Sequence, residues 1–177
     1  MNYLYKTQGI ILKRKNYGEI DRILTIFTLN YGKIKVLAKG VRKITSKRAG
    51  NLETFNFCRF LIRKGKTFDI LSEVEVLDNF SSWRKNINKV KLAYYFCELV
   101  DKFTPEGEKN EKIFNLLKNS LKLLEKNEEE KLKKEFEEKI LLFSGFGIPP
   151  QLKDKGNLIS YIEKIIERKI NTFRTFS

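Results

Sequence analysis

The side-chain rhythm of this chain changes once, near residue 80, and that change limits the folds open to it. Up to Leu77, apolar and polar residues alternate: Ile34, Val36 and Ala38 fall on one side, Lys33, Lys35 and Lys39 on the other. Farther on, Phe68, Ile70, Val74 and Val76 oppose Thr67, Asp69, Glu73 and Glu75. Period two belongs to strands with one buried and one wet face. Five strands are expected, over 8–15, 22–29, 33–41, 52–64 and 67–77, with Gly18, Gly32 and Gly65 in the tight turns. Five short strands in about 80 residues imply a small closed barrel, either an OB-fold, whose sheet face and loops bind single strands, or an SH3-like barrel.

From Ser82 the period becomes helical. A helix over 83–103 places Ile87, Val90, Tyr94, Cys97 and Val100 on one side, and Thr104-Pro105-Glu106-Gly107 ends it. A second helix starts after Asn110 as its N-cap, with Ile113, Leu116, Leu117, Leu121 and Leu124 inward. A third, over 128–144, carries Leu132, Phe136, Ile140 and Phe143 inside and the pairs Glu130–Lys134 and Glu135–Lys139 outside, until Gly145, Gly147, Pro149 and Pro150 stop it. A fourth spans 158–169 on Ile159, Ile162, Ile165 and Ile166. The expected class is α+β, a five-stranded barrel domain over 1–80 followed by a helical bundle domain over 81–177.

Charge is distributed as unevenly as hydropathy. The chain holds 36 Lys and Arg against 22 Asp and Glu, a net +14, and residues 1–80 hold 16 of the basic but only 7 of the acidic side chains. Between Asp21 and Glu53 there is no acidic residue, yet Arg22, Lys33, Lys35, Lys39, Arg42, Lys43, Lys47 and Arg48 all lie there. A cationic face on a sheet points to a polyanion, with nucleic acid ahead of a membrane surface, since no segment joins a basic face to the aromatic and leucine stripe of an interfacial helix. These eight side chains are the candidate DNA-binding set, gripping phosphates without reading sequence. Tyr17, Tyr31 and Phe60 are candidates for base stacking, although a barrel of this size also needs large apolar side chains inside.

Several chemistries are removed at once. The chain has no His, which excludes Ser-His-Asp and Cys-His nucleophiles and His-ligated zinc. Cys58 and Cys97 are too few for a four-thiolate metal site and are expected as reduced, buried thiols. No phosphate-binding glycine loop appears, and the carboxylate runs, such as Glu128-Glu129-Glu130, read as solvated charge. No catalytic constellation, cofactor or metal is expected. No apolar run reaches the ~18 residues of a spanning helix, so a soluble, cytoplasmic protein is expected.

The segments Gly9-Ile10-Ile11-Leu12, Tyr17-Gly18-Glu19-Ile20-Asp21-Arg22-Ile23-Leu24-Thr25-Ile26-Phe27-Thr28, Gly32-Lys33 and Ala38-Lys39-Gly40-Val41-Arg42 resemble, in order and spacing, the amino-terminal domain of the bacterial RecO family. The resemblance continues through Tyr94-Tyr95, Pro105-Glu106-Gly107-Glu108 and Gly145-Phe146-Gly147-Ile148-Pro149. It implies an amino-terminal OB-fold, a carboxy-terminal helical domain, and a recombination mediator of the RecFOR pathway. Such a protein binds single- and double-stranded DNA, anneals complementary strands, contacts single-strand-binding protein and, with RecR, assists the loading of RecA in the nucleoid. Family members carry a four-cysteine zinc module after the Gly-x-x-Pro segment; here Gln151-Leu152-Lys153-Asp154-Lys155-Gly156 follows, with Lys155 where the first cysteine is expected, so a short form without zinc is expected.

Two other functions fit the charge. In one, an adapter receives the acidic tail of single-strand-binding protein in an apolar groove flanked by Lys85, Lys89, Lys91, Arg168, Lys169 and Arg174. In the other, a generic OB protein binds RNA or single-stranded DNA.

Overall fold

Strand β1 (Leu4–Tyr17) is long enough to serve two neighbours, and the barrel closes because it does. In the computed structural model, which describes residues 3–153 and 158–172, its first half pairs with β4 (Phe57–Arg63) and its second half with β2 (Asp21–Thr28), both antiparallel. The handover falls at Gly9, paired to both. A Cβ there would stand 2.6 Å from the Ile26 side chain and 3.1 Å from the Phe27 carbonyl, so only glycine lets the three strands approach. A bulge between Ile11 and Lys13 then bends β1 onto β2. With β3 (Gly32–Ala38) and β5 (Asp69–Asp78) the order is β1-β2-β3-β5-β4, closed. The seam is one short parallel contact, Val36 with Asp69 and Leu37 with Ile70. This is an OB-fold barrel.

The alternating residues fill it. Ile11, Leu24, Ile26, Val36, Ala38, Leu52, Cys58, Phe60, Ile62 and Leu71 form its buried core. Burial pushes the Cys58 thiol up to about 12, so no thiolate is on offer there. Residues 52–56 depart from the strand expected over 52–64. Ala49–Leu52 is a 3-10 turn, and Phe55, at φ +77, hydrogen-bonds its amide to the Ile11 carbonyl at 2.8 Å.

The described residues fall into two units, 3–79 with 105–111, and 80–104 with 112–153 and 158–172. The second is helical: α1 (Ile87–Phe103), α2 (Glu111–Leu123), α3 (Glu129–Phe143), α4 (Pro150–Lys153) and α5 (Ile159–Ile165). The first helix starts at Ile87, later than expected, because the Asn86 side chain caps it, accepting from the amides of Asn88 and Lys89. Its buried apolar residues are Leu92, Ala93, Tyr95, Phe96, Cys97, Leu99 and Val100, whereas Ile87 and Tyr94 are exposed. A single stripe misdescribes a helix that is apolar most of the way round. Phe96 stacks on Phe136 of α3 with ring centroids 4.1 Å apart. The short α4 has no counterpart among the expected helices. Among the described residues, no helix is long and apolar enough to cross a membrane.

Candidate functional site

The pairs Ile23–Leu37, Thr25–Lys35 and Phe27–Lys33 put six side chains on one face of the β2–β3 ladder, opposite the core-facing Leu24, Ile26 and Val36. The face is graded: Phe27 and Lys33 are buried, Ile23, Thr25 and Leu37 are half-buried, and Lys35 is exposed. Alternation assigned Lys33 to the wet side, and the structure corrects that. Segment 105–107 runs alongside β3, bridging Lys33 to Glu106 in parallel, with the Gly107 amide on the Lys33 carbonyl at 2.9 Å. The Glu106 carboxylate pairs with Lys35. Gly32, at φ +65, is required by this strap, since a Cβ there would meet the Glu108 carbonyl oxygen at 2.2 Å.

Two loops reach the open end of the face. Tyr17, 48% exposed, starts the β1–β2 turn, and its ring meets the edge of Phe68 at 5.9 Å. Phe68 belongs to the β4–β5 loop, not to the strand expected over 67–77, and is half-buried. Asp69 fixes this loop by accepting from the Tyr5 hydroxyl at 2.5 Å, the Gly65 amide at 3.2 Å and the Lys64 ammonium at 3.2 Å. Burial alone would raise the Asp69 pKa, but these donors outweigh it and hold the carboxyl below its ordinary range. Where β5 diverges from β3, a cleft of about 490 Å³ opens between Lys35, Lys64, Phe68 and Glu106.

The turn and loop after β3 carry the remaining positive charge. Lys39, Arg42, Lys43 and Lys47 are exposed, and Ile44 stands fully in solvent between them. Arg42 Nη1 donates to the Gly18 carbonyl at 3.2 Å. Arg48 is half-buried and structural, donating to the carbonyls of Lys39 at 3.1 Å and Ser72 at 3.4 Å. The carboxylates bounding the acid-free stretch are engaged elsewhere: Asp21 accepts the Gly40 amide at 2.7 Å, and Glu53 pairs with Arg14 at 2.6 Å. Among the described residues, no ion pair involves Lys39, Lys43 or Lys47. The β4–β5 face, by contrast, sets Arg59 against Glu75 across the ladder.

Other expected site residues separate. Phe60 has no exposed surface; it packs in the barrel core and presents no ring face to a base. Tyr31 is 38% exposed but leans on Tyr5, centroids 4.7 Å apart, at the far end of β2 from Tyr17. Lys85 is exposed before α1, Lys91 is half-buried, and Lys89 bonds the Glu125 carbonyl at 3.1 Å in the first turn. Arg168 and Lys169 are exposed, and the Lys169 carbonyl meets Lys102, in the last turn of α1, at 2.5 Å. Lys89 and Lys102 stand roughly 20 Å apart along the helix axis. Arg174 and Lys155 lie outside the described residues.

Comparison with known proteins gives a family. Residues 1–80 match the model described as Recombination protein O N terminal, and residues 84–154 the model described as Recombination protein O C terminal. The chain belongs to the RecO family. Curated RecO-family relatives include "DNA repair protein RecO" of Pelotomaculum thermopropionicum, 39% identical over 143 residues, covering 81% of this chain and 56% of that protein. The protein of the same name from Caldicellulosiruptor bescii is 40% identical over 144 residues, 81% of this chain and 59% of the relative. That from Clostridium acetobutylicum is 33% identical over 165 residues, 90% and 67%. The chain thus spans less than two thirds of the length of the first two RecO proteins. The two RecO models meet between β5 and α1, where the hydrophobic period changes.

Proposed function

We propose that this chain acts in DNA repair as a nucleic-acid-binding mediator, holding single- and double-stranded DNA on the cationic side of the barrel and bringing complementary strands together. The observation that carries the reading is the set of exposed lysines, Lys39, Lys43 and Lys47, with no ion pair among the described residues, on the turn and loop that Arg42 ties to the β1–β2 turn, where Tyr17 meets Phe68. Cations track phosphates and rings stack bases, the two parts of a single-strand site. Annealing is the offsetting of repulsion between two polyanions and needs no hydrolysis. As a RecO-family mediator, the chain would work with RecR and single-strand-binding protein in assisting RecA. The test is fluorescence anisotropy with an unstructured oligonucleotide over a potassium chloride series, alongside a strand-annealing assay. About five phosphate contacts on a single strand predict a log-log slope of about −3.5. A slope near zero, or no annealing, overturns the reading.

The Glu106 strap supplies a second check. Glu106→Gln frees the Lys35 ammonium while leaving the backbone bridge at Lys33 intact, so oligonucleotide affinity near 0.1 M salt should rise about fivefold and the slope should steepen by about 0.7. Unchanged affinity would place Lys35 outside the interface.

A further inference from the structure

Arg14 lies outside the acid-free stretch, yet the fold delivers it to the same rim of the barrel as two of the arginines within it. In the β1–β2 register Arg14 pairs with Leu24 and Asn16 with Arg22, so Arg14 and Arg22 are diagonal neighbours on the face that Leu24 turns to the core. Beyond Leu24 that face opens at the barrel mouth. Arg42 arrives from the turn after β3, anchored by its amide on the Ile20 carbonyl at 2.9 Å. Burial lowers the Arg22 pKa first, the positive charge of Arg14 lowers it again, Glu53 opposes, and Arg42 adds to the lowering. Three guanidinium groups therefore share one field, in which the Glu53 carboxylate, its side chain 44% exposed, is the acid that acts on Arg22 and pairs with Arg14.

The crowding leaves donors over. A guanidinium has five N–H groups. Among the described residues the hydrogen bonds are few: Arg14 to Glu53 at 2.6 Å, Arg22 Nε to Asn16 at 3.3 Å, Arg42 to the Gly18 carbonyl at 3.2 Å. A phosphate, whose two non-bridging oxygens accept the planar fork of a guanidinium bidentately as a carboxylate does, is the natural competitor for the place of the Glu53 carboxylate.

We propose that Arg14, Arg22 and Arg42 form a phosphate seat at the barrel mouth, separate from the lysine row, which takes a backbone phosphate of the bound strand in exchange for Glu53. The assignment rests on the nucleic-acid reading above. The strand enters the seat as a phosphodiester; a free phosphate or pyrophosphate offers the same chemistry.

The test compares Arg14→Gln and Glu53→Gln with wild type in the same salt series, using Lys39→Glu/Lys43→Glu as a reference. Circular dichroism checks that each variant is folded. Arg14→Gln should weaken oligonucleotide binding about fivefold and make the slope shallower by about 0.7, and Glu53→Gln, which keeps all three arginines, should do the reverse. If both leave affinity and slope at wild-type values while the lysine variant weakens binding, the seat is overturned and the lysine face stands. If wild type binds no oligonucleotide, the nucleic-acid reading itself fails, and thermal unfolding with inorganic pyrophosphate decides. A melting temperature raised in wild type and not in Arg14→Gln keeps the seat for a free anion; an equal rise in both, or none, overturns it.

Discussion

The variant Lys39→Glu/Lys43→Glu/Lys47→Glu should bind an unstructured single strand at least about a hundredfold more weakly than wild type near 0.1 M salt, with its fold unchanged. Each phosphate contact contributes about 0.7 to the log-log slope on a single strand, so three lost contacts remove about 2 from it. At 0.1 M, one decade below the 1 M reference, that is about two decades of affinity before the repulsion of three new carboxylates is counted. The fold has little to lose, because all three side chains are exposed and form no ion pair among the described residues. Isolated surface charges alter stability by a few tenths of a kcal/mol. Anisotropy with a thermal melt on the same samples measures both. A loss smaller than about threefold would remove the lysine row from the interface.

Which side of a strand a residue occupies was legible in the sequence; what lies over that side was not. Alternation placed Lys33, Lys35 and Lys39 on one face, and the ladder agrees for Lys33 and Lys35, while Lys39 falls in the turn after β3. Lys33 is nevertheless buried, and the backbone crossing it at Glu106 comes from more than 70 positions later in the chain. The run Phe57-Cys58-Arg59-Phe60-Leu61-Ile62 has too many apolar residues for alternation to say which ring is inside; closure of β4 on β1 and β5 decides for Phe60. Phe68 has the parity of Ile70, but the Lys64–Asp69 loop takes it out of the strand and toward Tyr17. Arg14 escaped for a different reason. Charge counting along the chain drew a boundary at Asp21, and only pairing across β1 and β2 brings Arg14 diagonal to Arg22. Local period and net charge thus described the barrel and its polarity, while the site depends on contacts between distant segments.

The buried carboxylate of Glu98 was equally hidden, a lone acid in the apolar run Phe96-Cys97-Glu98-Leu99-Val100, and it should carry much of the acid sensitivity of the helical unit. It accepts from the Asn171 amide at 2.7 Å, the Thr172 amide at 2.8 Å, the Thr172 hydroxyl at 2.5 Å and Lys102 at 2.8 Å. Burial pushes its pKa up, but these donors outweigh burial, and the net displacement is downward from 4.5. A carboxyl whose folded pKa is depressed stabilises fully above its unfolded value and loses that contribution as pH falls through the folded one. Wild-type stability should therefore decline below about pH 4.5, and the Glu98→Gln curve, with no charge to lose, should be flatter and approach it in acid. Glu98→Ala removes the acceptor of the Asn171 and Thr172 amides and the Thr172 hydroxyl and the carboxylate partner of Lys102, which should cost about 3 kcal/mol at pH 7 in urea unfolding. Should the segment detach locally instead, the global figure shrinks and hydrogen exchange at the Asn171 and Thr172 amides accelerates. Global stability within about 0.5 kcal/mol of wild type together with unchanged amide protection would mean that water replaces this carboxylate at no cost, which its burial and four donors argue against.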